Sequence, residues 1–168
     1  MGDFKIRKAS KSDAYGIAYV HIKSWQSTYK DLVSQEFLLS MDQGERTERW
    51  KNILEAGESH LYVALNVNDE IVGFVSGAKE REGKYEADGE LYAIYILENY
   101  QGKGIGKALT KRLMNLLKED GFRSMLVWVL KDNSATYFYE RMGGKCVDKE
   151  VITIAADEFE EVAYELLL

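Results

Sequence analysis

The chain reads as an α/β (α+β) protein with a mixed, mostly antiparallel central sheet of about seven strands flanked by about four helices. Three observations predict this. The early strands, His60 to Asn66 and Glu70 to Lys79, follow each other across Asn68-Asp69, a hairpin signal and so an antiparallel pair. The later strands, residues 89–97 and Met125 to Leu130, are separated by an amphipathic helix, which suits a parallel crossover. Ala14, Ile17, Ala18, His21, Trp25 and Tyr29 recur at three- and four-residue steps, one helical stripe that needs a sheet to cover it.

The elements follow in order. Phe4-Lys-Ile-Arg alternates as a short strand, and Ser10-Lys-Ser-Asp13 is a capping box that opens the first helix. Residues 34–56 read as a less regular helix anchored by Phe37, Leu38, Trp50, Ile53 and Leu54. Residues 80–88, charged and glycine-containing, read as a mobile loop. A helix over residues 104–119 carries Ile105, Ala108, Leu109, Leu113, Leu116 and Leu117 on one face, and a second over Ser134 to Met142 stops at Gly143-Gly144. Cys146 to Ile154 and Val162 to Leu168 are closing strands around an acidic turn.

At 168 residues the length prior gives one domain over 1–168. The formal charge of −6 argues against a nucleic-acid partner and mildly favours a cationic substrate. A single cysteine, Cys146, excludes an internal disulfide and a cysteine-built zinc site; it reads as a buried strand residue. No run approaches the ~18 apolar residues of a membrane span, and Ile6 breaks the myristoylation pattern at Gly2. The expected address is the cytoplasm, with no membrane partner.

The densest signal is Glu90-Leu-Tyr-Ala-Ile-Tyr-Ile96 followed by Gln101-Gly-Lys-Gly-Ile-Gly-Lys107. A strand leads into a glycine-rich turn and then a helix. Such a turn allows close backbone approach, and the helix start offers unpaired N–H groups and a positive dipole end: an anion site, suited to a pyrophosphate. A Walker loop fails, since Gln101 and Ala108 stand where glycine and Ser/Thr are needed. A dinucleotide fingerprint fails on spacing and on its place late in the chain. About thirty residues downstream lies Asn133-Ser-Ala-Thr-Tyr-Phe-Tyr139-Glu-Arg-Met-Gly143.

These two motifs in register, with Ile6-Arg-x-Ala-x-x-x-Asp13 at the start, resemble the GNAT superfamily of acyl-coenzyme A-dependent N-acetyltransferases over nearly the whole chain. Glu98 and Gly144 depart from its pattern, standing where many members have proline and an aromatic. The resemblance implies acetyl-coenzyme A as co-substrate, no metal, and a primary amine acceptor, a small molecule such as a polyamine or amino compound. The backbone of Gly102, Lys103, Gly104, Ile105, Gly106 and Lys107 would hold the pyrophosphate, with charge from Lys103 and Lys107; Gln101 belongs to the same motif. Ile94, Tyr95 and Ile96 would pair with the pantetheine arm, and the Ile96 N–H would polarise the thioester carbonyl. Asn133 and Tyr137 would contact the cofactor, and Tyr139 would protonate the leaving thiolate. Glu90 is the candidate general base, with Glu86 and Asp88 weaker ones; Trp25 and Tyr29 would wall the acceptor. His21 and His60 read as structural. A non-catalytic acyl-coenzyme A sensor and a protein N-terminal acetyltransferase are the alternatives, and the closing strands could pair in a homodimer.

Overall fold

The computed structural model describes residues 3–168; Gly2, read above against myristoylation, lies outside the described residues. Seven strands form one sheet: β1 Lys5–Lys8, β2 His60–Leu65, β3 Ile71–Lys79, β4 Gly89–Ile96, β5 Ser124–Leu130, β6 Lys145–Ile154 and β7 Asp157–Leu167, ordered β1-β2-β3-β4-β5-β7-β6. Every neighbouring pair is antiparallel except β4–β5. The helices are α1 Ala14–Thr28, α2 Gln35–Leu39, α3 Gln43–Ala56, α4 Ile105–Glu119 and α5 Ala135–Arg141. The expected fold class is the observed one.

The alternation of β2 divides the core. Leu61, Val63 and Leu65 pack with Ile17, Val20 and Trp50 of α1 and α3; Ala64 packs with Leu109, Leu113 and Leu117 of α4. Burying each such leucine contributes roughly 1.5–3 kcal/mol. Tyr139 of α5 joins the α4 side. At the start of α1 the Asp13 carboxylate accepts from the Ser10 N–H at 2.7 Å and from both terminal nitrogens of Arg7, which holds it below the usual carboxylate range.

Three expectations need correction. The helix over 34–56 is two helices, because the Asp42 carboxylate caps a new one by accepting from the Glu45 N–H at 2.7 Å. Residues 80–88 are the expected loop between β3 and β4, and it is hydrogen-bonded at both ends: Glu80 accepts from the Glu82 and Gly83 N–H groups, Asp88 accepts from those of Arg123 and Ser124, and Tyr85 donates to Asp148. The acidic segment is not a turn. Ala155, at φ +58, and Ala156 make the turn, so residues 157–161 belong to β7. Cys146 is exposed, because β6 is the sheet edge and its ladder slips between Cys146 and Asp148.

Candidate active site

β4 and β5 pair over only three positions, Gly89↔Met125, Glu90↔Leu126 and Leu91↔Val127, and then part. The β3–β4 ladder slips between Ser76 and Gly77, leaving Tyr92 as an extra residue at the point of parting. Gly77 makes this fit: a Cβ there would stand 2.5 Å from the Glu90 carbonyl and 2.7 Å from Leu113. Past the bulge, the Leu97 N–H donates to Val72 on β3 at 2.9 Å. Backbone groups alternate along a strand, so the N–H groups of Ile94 and Ile96 face the open side, where β5 has withdrawn. The Gln101 amide donates to the Ile96 carbonyl at 3.0 Å and pins the strand end to the turn.

The turn presents a row of free backbone donors. Gly102 and Gly104 take φ +75 and +87, conformations that favour glycine. Gly106 is helical; its requirement is space, since a Cβ would stand 3.1 Å from the Ile96 side chain. Among the described residues, none of the six N–H groups from Gly102 to Lys107 donates to another group. They open a fifteen-residue helix with its positive dipole end. Lys103 and Lys107 have no ion-pair partner among the described residues.

Two cavities flank the parting strands. One, of about 350 Å³, runs from Gln101 and Gly106 past Ile94, Tyr95 and Ile96 to Asn133, Phe138 and Arg141. The other, of about 410 Å³, lies beside the 80–88 segment and the β6–β7 hairpin. They share Tyr29, Ile94, Tyr95, Asn133, Ala135 and Tyr139. Tyr139 is 3% exposed, and its hydroxyl has no hydrogen-bond partner among the described residues. Burial pushes its phenol well above the ordinary tyrosine range. The Asn133 amide donates to the Tyr29 hydroxyl at 3.0 Å, tying α1 to α5, while its oxygen accepts from the Ala135 N–H. Gly144 closes α5 because a Cβ there would stand 2.8 Å from the Tyr139 carbonyl.

The larger cavity is aromatic and acidic. Trp25, Tyr29, Tyr92 and Trp128 line it together with Glu82, Glu90, Glu150 and Glu161. Glu90 is 3% exposed and gripped by Arg81, whose backbone N–H and Nε donate to Oε1 at 3.1 and 3.3 Å and whose Nη2 donates to Oε2 at 2.7 Å. The Arg81 guanidinium also sits 4.1 Å from the centre of the Tyr92 ring. Trp25 keeps a buried indole N–H that closes no hydrogen bond. Glu86 and Asp88 do not line this cavity.

Most of the sequence candidates therefore converge on one cleft. Tyr137 does not: it is 65% exposed on α5 and lines neither cavity. Its neighbour Phe138 takes the cleft side, because α5 begins at Ala135 and turns that face inward. His21 is structural: it accepts from the Trp50 indole N–H at 3.1 Å and stacks 4.9 Å from Tyr95, and burial lowers its pKa to about 3. Arg81, Arg141, Glu82, Glu150 and Glu161 escaped sequence reading. The segment Glu158-Phe-Glu-Glu-Val-Ala does not alternate, since Glu160 and Glu161 are adjacent, so no local periodicity marks it as strand.

Among the described residues no three His, Cys, Asp or Glu side chains gather to hold a metal ion, and no helix is long and apolar enough to cross a membrane.

Comparison with known proteins agrees with this geometry. The model of the acetyltransferase (GNAT) family matches residues 25–144. An uncharacterized N-acetyltransferase of Bacillus subtilis, YuaI, is 34% identical over 157 residues, covering 94% of this chain and 89% of the relative. A spermidine N(1)-acetyltransferase of Thermoplasma acidophilum is 28% identical over 167 residues, covering 96% and 98%. Among solved structures, the PaiA N-acetyltransferase of Thermoplasma acidophilum in complex with coenzyme A superposes with a TM-score of 0.77 at 23% identity, over 98% of this chain and 99% of that one. With the family model spanning well over half of its length, the chain belongs to the acetyltransferase (GNAT) family and is an acetyl-coenzyme A-dependent N-acetyltransferase.

Proposed function

We propose that this enzyme acetylates a primary amine on a small cationic molecule, a polyamine or a related amino compound, by direct attack of the amine. The observation that carries the reading is the meeting of two unlike cavities at Tyr139. One ends in the anion cradle of the glycine turn; the other is walled by aromatic rings and carboxylates. Carboxylates and π faces attract a cationic amine. The spermidine-acetylating relative, aligned over nearly the whole chain, supports the same substrate class.

Acetyl-coenzyme A, when bound, supplies an acetyl group activated as a thioester. The chain fits this co-substrate at three places. The free N–H groups of Gly102 to Lys107 suit a pyrophosphate, with Lys103 and Lys107 beside them. The outward N–H groups of Ile94 and Ile96 suit an extended amide-bearing arm, added as a strand would be. Arg141 and Phe138 line the same cavity. In this reading the Ile96 N–H polarises the acyl carbonyl, and Tyr95 contributes backbone to the same strand.

Tyr139 holds a proton on its hydroxyl oxygen across the working pH range and donates it to the departing sulfur. Glu90 is the general base of this reading. Three donors from Arg81 take three of the roughly four acceptor positions of its carboxylate, leaving one on Oε2 for the acceptor's proton. Arg81 is thus a positioning residue that aims the carboxylate. Trp25 and Tyr29 wall the acceptor.

A panel of diamines, polyamines, amino sugars and short peptides, followed by release of free coenzyme A thiol, tests the reading. Turnover with cationic alkylamines is expected. Turnover confined to peptides would overturn the substrate class, and acetyl-coenzyme A binding without turnover on any amine would make the protein a sensor.

A further inference from the structure

Four glutamates face the acceptor cavity, and three already have a cation. Arg81 holds Glu90, and the Lys84 ammonium lies 3.3 Å from Glu82 and 3.1 Å from Glu150. Glu161 has none. Among the described residues its carboxylate makes neither a hydrogen bond nor an ion pair, although it is half-buried and lines the cavity. It stands directly across the β6–β7 ladder from Glu150, whose charge Lys84 already answers, so Glu161 is the member of this like-charged pair left without a cation of its own. Burial, Glu150, Glu82 and Glu90 together push its pKa up. Independently, the hydroxyl of Tyr139, itself 3% exposed, opens unpartnered into the same cavity, which therefore has a reacting end as well as an acidic one.

The two ends are separated by strand geometry. The reacting end lies along the free edge of β4. Glu161 sits on β7, which is two strands over, with β5 between them. At the ordinary strand spacing that is roughly 10 Å, more where β4 and β5 part. A carboxylate so placed is out of reach of the nitrogen that attacks the acyl group. It is within reach of a second nitrogen carried several methylenes away. Chemistry favours the same division: the attacking amine must shed its proton, whereas an ion pair holds an ammonium charged, which suits a nitrogen that does not react.

We propose that Glu161 binds the second, non-reacting ammonium of a diamine or polyamine acceptor, so that the enzyme prefers acceptors with two positive charges over monoamines of equal length. This rests on the acceptor class proposed above and adds which residue enforces it.

The test compares an α,ω-diaminoalkane with the n-alkylamine of matching length, by kcat/KM, in the wild type, Glu161→Gln and Glu161→Asp. The wild type is expected to favour the diamine by about tenfold, the worth of one hydrogen bond to a charged group. In Glu161→Gln that advantage disappears through KM, with the monoamine unchanged. Glu161→Asp retains the preference and moves it to a longer diamine, since the carboxylate is withdrawn by one methylene. Acetyl-coenzyme A affinity stays at the wild-type value in both variants, and the melting temperature does not fall, rising in Glu161→Gln as the like-charged pair is relieved, which separates the effect from misfolding. An equal fall for monoamine and diamine would make Glu161 part of the proton-transfer machinery and overturn the proposal. A wild type that turns over both amines without preference would overturn it while leaving the amine acceptor reading intact. A wild type that acetylates no amine would remove both.

Discussion

Burial of the Tyr139 phenol has a kinetic consequence. Its pKa lies well above that of a free tyrosine, so its proton is retained at any ordinary assay pH. The rate should therefore show no high-pH decline attributable to Tyr139 below about pH 10. Tyr139→Phe keeps the ring and its packing and removes only the donor. Steady-state kinetics should show kcat reduced by about 10²–10⁴-fold with acetyl-coenzyme A affinity nearly unchanged. A fall of less than about threefold would assign the proton elsewhere. Two glycines separate in the same way. A side chain at Gly104 meets no atom within 4 Å, so Gly104→Val bears only the cost of φ +87 and should fold, with calorimetry showing acetyl-coenzyme A binding lost. Gly106→Val presses on Ile96 and should lower the melting temperature as well. Normal binding by folded Gly104→Val would move the site away from this turn.

At the scale of elements, the site is made by one strand leaving its neighbour. β4 is held by β3 throughout, but by β5 for only three pairs, and the bulge at Tyr92 sits where they part. Gly77 on β3 permits that register. Gly77→Ala would drive a methyl group into the Glu90 carbonyl and Leu113, which must then shift. Denaturant unfolding should show a loss of about 1–3 kcal/mol, with reduced turnover because Glu90 and the Ile94–Ile96 edge move together. Unchanged stability and activity would mean that the strand absorbs the methyl group locally. The glycine turn and the amphipathic α4 were legible because both are local: spacing and periodicity decide them. The break before α3 was missed because residues 34–56 keep enough apolar anchors to read as one helix, while the Asp42 cap is a single side-chain choice.

For the whole molecule, His21 links stability to pH. Buried between Trp50 and Tyr95 and near Arg46 and Arg49, it remains neutral until pH about 3, against 6.5 for the free group. As pH falls below 6.5 the unfolded chain takes up a proton that the folded one refuses. Stability is therefore full above pH 6.5 and declines at about 1.4 kcal/mol per pH unit on the way to pH 3. Carboxylates with lowered pKa, such as Asp13 and Asp88, add their own loss on acidification. His21→Gln isolates the histidine. Between pH 6 and pH 4, urea denaturation should show the wild type losing roughly 2 kcal/mol more than the variant. Equal losses would mean that His21 is protonated in the folded state.

The residues by themselves determined the order of strands and helices apart from the break before α3, the glycine turn, the Asn133-to-Gly143 segment that carries Tyr139, and so the family and the co-substrate class. These are encoded by short-range spacing, which survives without coordinates. The aromatic and acidic half of the cleft was decided only by the tertiary structure. Arg81 reaches Glu90 from nine residues away, Lys84 reaches Glu150 from sixty-six, and Glu161 enters the cavity only because the acidic segment is strand and pairs with Glu150. Cys146 moved from an expected core position to the surface, because edge or centre is a property of the sheet order. Such contacts depend on which strands become neighbours, and no local pattern of residues records that.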